Sequence, residues 1–189
     1  MPNVVLSSKL KNTDSVFLQQ WIKPLVLPVY LKNEKRKFWP EQLHIVADLP
    51  QQDTVETTFH AALKPECYTF VRIIKFHRVD DYTVYATIRD SSELILCYFT
   101  AECVLNYETR NNDRITLDTL NTLFVVGKVT LQFWNQRECK RCFNLEFPTL
   151  RMVPVLKIEN AQVFDRDQIS SIVQFQWVYN SLKDRRSER

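Results

Sequence analysis

Glycine is almost missing from this chain: Gly127 stands alone among 189 residues, where average usage of about 7% would give roughly thirteen. A dinucleotide-binding G-x-G-x-x-G turn, a phosphate-cradling G-x-x-x-x-G-K-[ST] loop and a G-x-S-x-G nucleophile elbow each need at least two glycines close together, because backbone there approaches a phosphate or turns sharply. One glycine excludes all three. Long apolar runs are missing too. Residues 1–12 lack the apolar core of a secretory signal, and the most apolar stretch, residues 24–31, contains two prolines and falls far short of the ~20 residues a membrane span needs. No membrane partner is expected.

A strong charge of either sign is also absent. The chain carries 25 Lys plus Arg against 22 Asp plus Glu, a net +3. Residues 183–189 supply four of the positive and two of the negative charges, which leaves the body at about +1 by the same count. Nucleic-acid affinity rests on phosphate neutralisation and counterion release, so tight nonspecific DNA binding by this chain is disfavoured. The five cysteines, Cys67, Cys97, Cys103, Cys139 and Cys142, are odd in number, lie in apolar contexts and come with no N-x-[ST] sequon, which fits a reducing, intracellular compartment.

What is present suits a folded domain: 45% apolar and 25% charged residues in 22.5 kDa are ordinary globular values. Helical spacing of Phe17, Leu18, Trp21, Ile22 and Leu25, with Thr13 or Asp14 as cap, predicts a helix over residues 13–25 that Pro24 limits. Residues 26–65 carry several prolines and the basic run Lys35, Arg36, Lys37 beside Phe38 and Trp39, and read as irregular connection. Period two then takes over. Residues 67–78 predict a strand whose parity slips at Ile73 and Ile74, the mark of a bulge. Residues 82–89 and 93–99 continue it as a meander. Thr100 caps a helix that buries Ala101, Val104 and Leu105 and ends near Arg110. Residues 122–134, 142–147 and 152–158 read as strands, and Asp165 with Gln168 forms a capping box for a last helix through Ile169, Ile172, Phe175, Tyr179 and Leu182.

Three meandering strands, a helix and further strands give a mainly β fold: a five-stranded OB-fold barrel with a helix between strands 3 and 4, plus N-terminal and C-terminal helices. One domain over residues 1–182, with an N-terminal helical extension and a flexible basic tail over residues 183–189, accounts for the length.

The most conspicuous motif is C-x-x-C at Cys139 and Cys142, a spacing that can hold zinc or a redox dithiol. No second pair of ligands accompanies it, so half-buried cysteines are the better reading. His44, His60 and His77 lie far apart with no neighbouring acid-base partner. Cations interleaved with aromatics, Arg72 with Phe70, Lys75 with Phe76, and Lys128 near Phe133 and Trp134, resemble a stacking platform for single strands. The near-neutral body favours barrel core instead. Trp21 can pack under the barrel or protrude as a partner anchor, with packing preferred. Asp90 and Arg114, each at an element edge, can lock a turn together. No catalytic residue, metal site or cofactor is expected.

Several segments carry a resemblance: Thr13-Asp14-Ser15-Val16-Phe17-Leu18-Gln19 with Trp21-Ile22-Lys23, then Asp81-Tyr82, Val84-Tyr85-Ala86 and Ile88-Arg89-Asp90-Ser91-Ser92. Glu102-Cys103-Val104, Arg114-Ile115-Thr116, Val153-Pro154-Val155-Leu156 and Phe164-Asp165 extend it in order along the chain. Together they closely resemble the family of the third ever-shorter-telomeres protein, the small regulatory subunit of budding-yeast telomerase. The likeness fails mainly over residues 27–66, 134–150 and the last seven.

The resemblance implies an OB fold similar to the telomerase-recruiting domain of shelterin and a non-catalytic subunit working in the nucleus at telomeres. It implies function through protein contacts with the telomerase reverse transcriptase and other holoenzyme subunits, and it leaves room for weak or indirect contact with telomeric nucleic acid. It places a partner-binding surface on Trp21, Lys75, Glu108, Asp118, Thr119, Asn121, Asp167 and Ile169, supported by an acid-base pair, Asp90 with Arg114. The family expectation is glutamate at position 118 and valine at 169, so charge and shape are kept. A single-strand telomeric DNA binder is the alternative function.

Overall fold

The period-two segments close on themselves. The computed structural model describes residues 17–49, 69–166, 169–171 and 173–183. Its elements are α1 (Ile22–Arg36), β1 (Leu43–Val46), β2 (Thr69–Asp80), β3 (Thr83–Arg89), β4 (Glu93–Phe99), α2 (Ala101–Asn111), β5 (Leu123–Trp134), α3 (Gln136–Phe143), β6 (Val153–Asp165), β7 (Gln176–Trp177) and α4 (Val178–Lys183). Antiparallel pairs β2–β3, β3–β4, β5–β6 and β2–β5, with the parallel pair β4–β6, complete a ring of five strands. With α2 between β4 and β5, this is the OB barrel that the strand order predicted. The register of β2 against β3 shifts between Ile73 and Lys75, where the parity slip lies, and lets β2 bend around the barrel. Val71, Ile73, Val84, Ala86, Ile88 and Phe99 fill the interior with almost no exposure.

The single glycine marks a crossing of chains. β5 pairs with β6 along its length, but its other edge is shared: residues 123–126 pair with β2 and residues 129–131 with β1. At the changeover Lys128 adopts φ 49° and its amide donates to the Ala47 carbonyl at 2.8 Å. A Cβ on Gly127 would lie 2.6 Å from Leu49 Cγ and 2.8 Å from Leu49 N. Elsewhere the chain takes left-handed backbone without glycine, chiefly on Asn and Asp: Asp81, Asn112, Asp118, Asn121 and Asn144, the side chains that tolerate it best.

Three expectations are overturned. Among the described residues the first helix is α1, which begins at Ile22 and runs through the first eleven residues of the stretch read as irregular connection; β1 follows in the same stretch. Pro24 falls in its first turn, where amides lack intrahelical partners anyway. Pro28 sits inside it on the exposed side, while Ile22, Val26, Tyr30 and Asn33 are buried at spacings of four, four and three. Burial of that stripe against α4 and β4 outweighs the hydrogen bond Pro28 omits. The capping candidates Thr13 and Asp14, and Cys67, lie outside the described residues.

The second correction concerns the C-x-x-C segment, which is helix α3 and not a strand. Asn135 caps it by accepting from the Glu138 amide at 2.8 Å, and Cys139, Cys142 and Phe143 form its buried face. The third concerns Asp165. It ends β6, paired opposite Leu123, and the last helix begins at Val178; Ile169 is not helical, and Gln168 and Ile172 lie outside the described residues. Pairing with the long β5 extends the strand past the point where a local cap would stop it. α2 forms as expected, with Thr100 accepting from the Cys103 amide at 3.2 Å. Its buried stripe is Cys103, Val104 and Tyr107, whereas Leu105 is 46% exposed.

α4 closes the barrel's seam. Parallel pairing between β4 and β6 covers only Cys97–Phe99 against Leu156–Ile158. Just beyond it, the buried Tyr179 hydroxyl accepts from the Leu96 amide at 3.0 Å and donates to the Pro154 carbonyl at 2.6 Å, so one side chain replaces the missing strand contact.

Candidate functional site

Two polar knots organise the face to which the resemblance points. The first is Asp90, fully buried in the turn after β3. Its Oδ2 accepts from the amides of Trp21 and Ile22, and its Oδ1 from those of Ser92 and Glu93, all at 2.8 Å. The carboxylate therefore fixes its own turn and caps α1 from a distant part of the sequence, since Trp21 at the N-cap supplies no side-chain oxygen. Arg114 is exposed on the loop after α2. The expected Asp90–Arg114 pair is corrected accordingly: backbone amides, not a guanidinium, occupy the carboxylate.

Trp21 packs. It is 9% exposed and its indole Nε1 donates to the Phe70 carbonyl at 3.0 Å, which ties the start of α1 to β2. With so little of it accessible, its role in the fold is to position α1 against β2.

The second knot is Arg72, 3% exposed on β2. Its Nη1 donates to the Asn121 carbonyl at 2.6 Å and to the Ile169 carbonyl at 3.3 Å. A buried guanidinium thus draws the α2–β5 loop and the segment after β6 to one point on the barrel wall. The loop is held further by the Asn121 amide, which donates to Ile73 O at 2.9 Å, and by the buried Thr119 hydroxyl, which donates to Ile115 O. Asp118 and Asn121 adopt φ 54° and 59°. The result is an exposed Asp118 flanked by Leu117 and Leu120, which are 52% and 43% exposed. Nothing in the sequence pattern separated those two leucines from core leucines.

The structure thus brings Asn121 and Ile169 together and sets Asp118 and Thr119 in the same loop. Thr119 is a loop brace, at 1% exposure. Lys75 is exposed on β2, opposite Thr87, and Glu108 is half-buried on α2; neither makes a hydrogen bond or ion pair among the described residues. Asp167 lies outside the described residues.

The barrel wall on which OB proteins lay single strands is largely covered here. Arg72 faces Arg89 across β2 and β3, and Arg89 is 1% exposed, donating to the Asp90 carbonyl at 3.0 Å with its guanidinium 4.0 Å above the Phe175 ring. Farther along, Tyr85, Tyr98 and Trp134 form a half-buried aromatic cluster on which Phe143 of α3 packs at 5.5 Å from Tyr85 and 5.6 Å from Trp134.

Cys139 and Cys142 point into the protein, at 0% and 6% exposure, and burial pushes the Cys139 thiol up to about 12, with Cys142 and Glu146 adding to it. A thiol that keeps its proton is a poor nucleophile and a poor ligand. Among the described residues, no group of three or more His, Cys, Asp or Glu side chains is placed to hold a metal ion. His77 shares a 2.6 Å hydrogen bond with Thr87 Oγ1, and its pKa is lowered by burial and by Lys75. His60 lies outside the described residues.

Residues 18–180 match the family model described as shelterin complex subunit, TPP1/ACD. The chain is 72% identical over 182 residues to telomere replication protein EST3 of Kluyveromyces lactis, covering 96% of this chain and 99% of that one. It is 34% identical over 175 residues to the protein of the same name in Eremothecium gossypii, covering 90% and 85%. Among solved structures, the Est3 telomerase subunit in the yeast Hansenula polymorpha shares the fold, with a TM-score of 0.54 at 16% identity over 75% of this chain and 86% of that one. The barrel, the order of its elements and these likenesses agree, and the chain belongs to the EST3 family of telomere replication proteins and to the shelterin TPP1/ACD family.

Proposed function

We propose that this chain is a non-catalytic telomerase subunit, acting in the nucleus at telomeres, that binds the telomerase reverse transcriptase through the surface around the Arg72 knot. The observation that carries this reading is the convergence of the Asn121 and Ile169 carbonyls on the buried Arg72. It joins two segments distant in sequence into one face bearing Asp118, two exposed leucines and Ile169. An acidic group beside accessible aliphatic area suits a partner chosen by charge, with the apolar part supplying contact. Trp21, Asp90 and Thr119 act by holding that face, and Lys75 and Glu108 extend it.

Asp118→Arg tests the proposal. The substitution is exposed but replaces an aspartate at φ 54°, where Asp and Asn are best tolerated, so unfolding free energy should fall by no more than about 1 kcal/mol. Telomerase isolated through its catalytic subunit should carry less of the variant, and telomeres should shorten over generations at normal protein level. Unchanged co-purification and telomere length would remove Asp118 from the surface.

Single-strand telomeric DNA binding is the second reading. It draws on the half-buried Tyr85, Tyr98 and Trp134 near the exposed Lys75 and Arg78. Burial of Arg72 and Arg89 weakens it, because cations committed to carbonyls and a ring are not free for phosphates. Salt-dependent binding of a telomeric oligonucleotide, lost on Lys75→Ala, would favour it over the first.

A further inference from the structure

The β2–β3 hairpin ends in a two-residue turn whose backbone is left-handed at both positions, Asp81 at φ 48° and Tyr82 at φ 64°, with Asp80 paired to Thr83 across it. That is a type I′ turn, in which the second position is ordinarily glycine. A tyrosine there is strained, and nothing in the fold repays the strain. Tyr82 is 55% exposed and makes no ring contact or hydrogen bond among the described residues. Val79, on the same tip, is 57% exposed. An uncompensated strained aromatic at a loop tip points to a role outside the fold.

We propose that the hairpin tip is a second protein-docking point, with Tyr82 as its anchor and Val79 beside it, fitting a shallow apolar pocket rimmed by cations on another protein of the telomerase complex. Local charge selects the class of partner. Asp81, next to the ring, makes no ion pair among the described residues, whereas Asp80 is paired at 3.2 Å with Arg78, which also donates to the Arg141 carbonyl at 3.1 Å. The unpaired Asp81 carboxylate beside the ring disfavours phosphate and favours a basic protein rim. The point is separate from the Arg72 surface: Asp80 lies eight steps along β2 from Arg72, at most about 26 Å at strand rise. A subunit engaged at both ends of one strand would bridge two surfaces, or two partners. The inference rests on the telomerase reading but not on the Asp118 surface.

Tyr82→Gly separates a structural tyrosine from a functional one. In the full chain the glycine relieves the left-handed strain, and the relief exceeds the chain freedom it adds. The melting temperature should rise by about 2 °C. Co-purification with telomerase should fall at least about tenfold, as for an interface anchor, and Tyr82→Phe should restore it. Asp118→Arg measured in parallel keeps the two sites distinct, since each can lose association while the other retains it. A lower melting temperature in Tyr82→Gly would make the ring structural and overturn the proposal, as would undiminished co-purification. So would loss, on the same substitution, of oligonucleotide binding or of a concentration-dependent dimer, because the occupant would then be a nucleic acid or a second copy of the chain.

Discussion

Removing the Asp90 carboxylate should damage the protein more than any surface charge change, by an amount that follows from its four acceptor contacts. Asp90→Ala takes the cap from α1, a loss worth about 1 kcal/mol for an ordinary N-cap. It also strands buried or half-buried amides of Trp21, Ile22, Ser92 and Glu93, each costing about 1–3 kcal/mol if water cannot reach it. The variant no longer buries a charge, which offsets part of this. A net loss of roughly 3–4 kcal/mol results, a large share of the 5–15 kcal/mol typical of a domain.

Urea unfolding of the full chain should show the midpoint falling with the slope unchanged. Asp90→Asn should fall between, since its carbonyl keeps one pair of donors while its amide meets the other pair. Arg114→Ala should change stability by less than about 0.5 kcal/mol and add to Asp90→Ala without coupling. An Asp90→Ala loss under 1 kcal/mol, or a coupling above about 1 kcal/mol with Arg114, would refute the reasoning. The first result would mean that the amides find other partners, the second that the guanidinium reaches the carboxylate.

Gly127→Ala should destabilise by about 1–2 kcal/mol, overpacking against Leu49 minus the smaller gain from a stiffer unfolded chain. A melting temperature equal to or above that of the unmodified chain would show that residues 47–49 yield freely. Glu93 gives a pH-dependent test. Its Oε2 is buried without a partner among the described residues, and burial raises its pKa above 4.5, with Lys23 opposing and Asp90 adding. Because the folded value exceeds the unfolded one, its favourable contribution is present below pH 4.5 and lost as pH rises through the folded pKa. Glu93→Gln should therefore be more stable than the unmodified chain at pH 7, with the gap closing on acidification; a gap that is constant with pH would refute this.

What could be read beforehand divides by the range of the forces involved. The β2–β4 meander, the bulge at Ile73 and the Thr100 cap rest on period and on contacts within a few residues, and the sequence carried them openly. α1 did not declare itself because Pro24 and Pro28 break the local rule, while the stripe Ile22, Val26, Tyr30, Asn33 that overrides them matters only once α4 and β4 are there to bury it. α3 was legible in principle: Asn135 with Glu138 has the spacing of a capping pair, and Cys139, Cys142 and Phe143 share a helical face. The alternation of Phe143, Leu145 and Phe147 happened to mimic a strand.

The candidate site divides the same way, with a sharper consequence. That Asp90 and Arg114 both belong to one region was suggested by resemblance, and an acid beside a base invites the inference of a pair. The fold instead gives each carboxylate oxygen two amides. Amides have no sequence signature, because every residue but proline carries one. The buried Arg72 was legible only as a cation beside Phe70, and its partners are the backbone carbonyls of Asn121 and Ile169. Both knots join side chains to main chain across long stretches of sequence. Neither knot uses the exposed side chains of this face, so under the proposed function a partner would set them, Asp118 above all, within what its left-handed backbone allows.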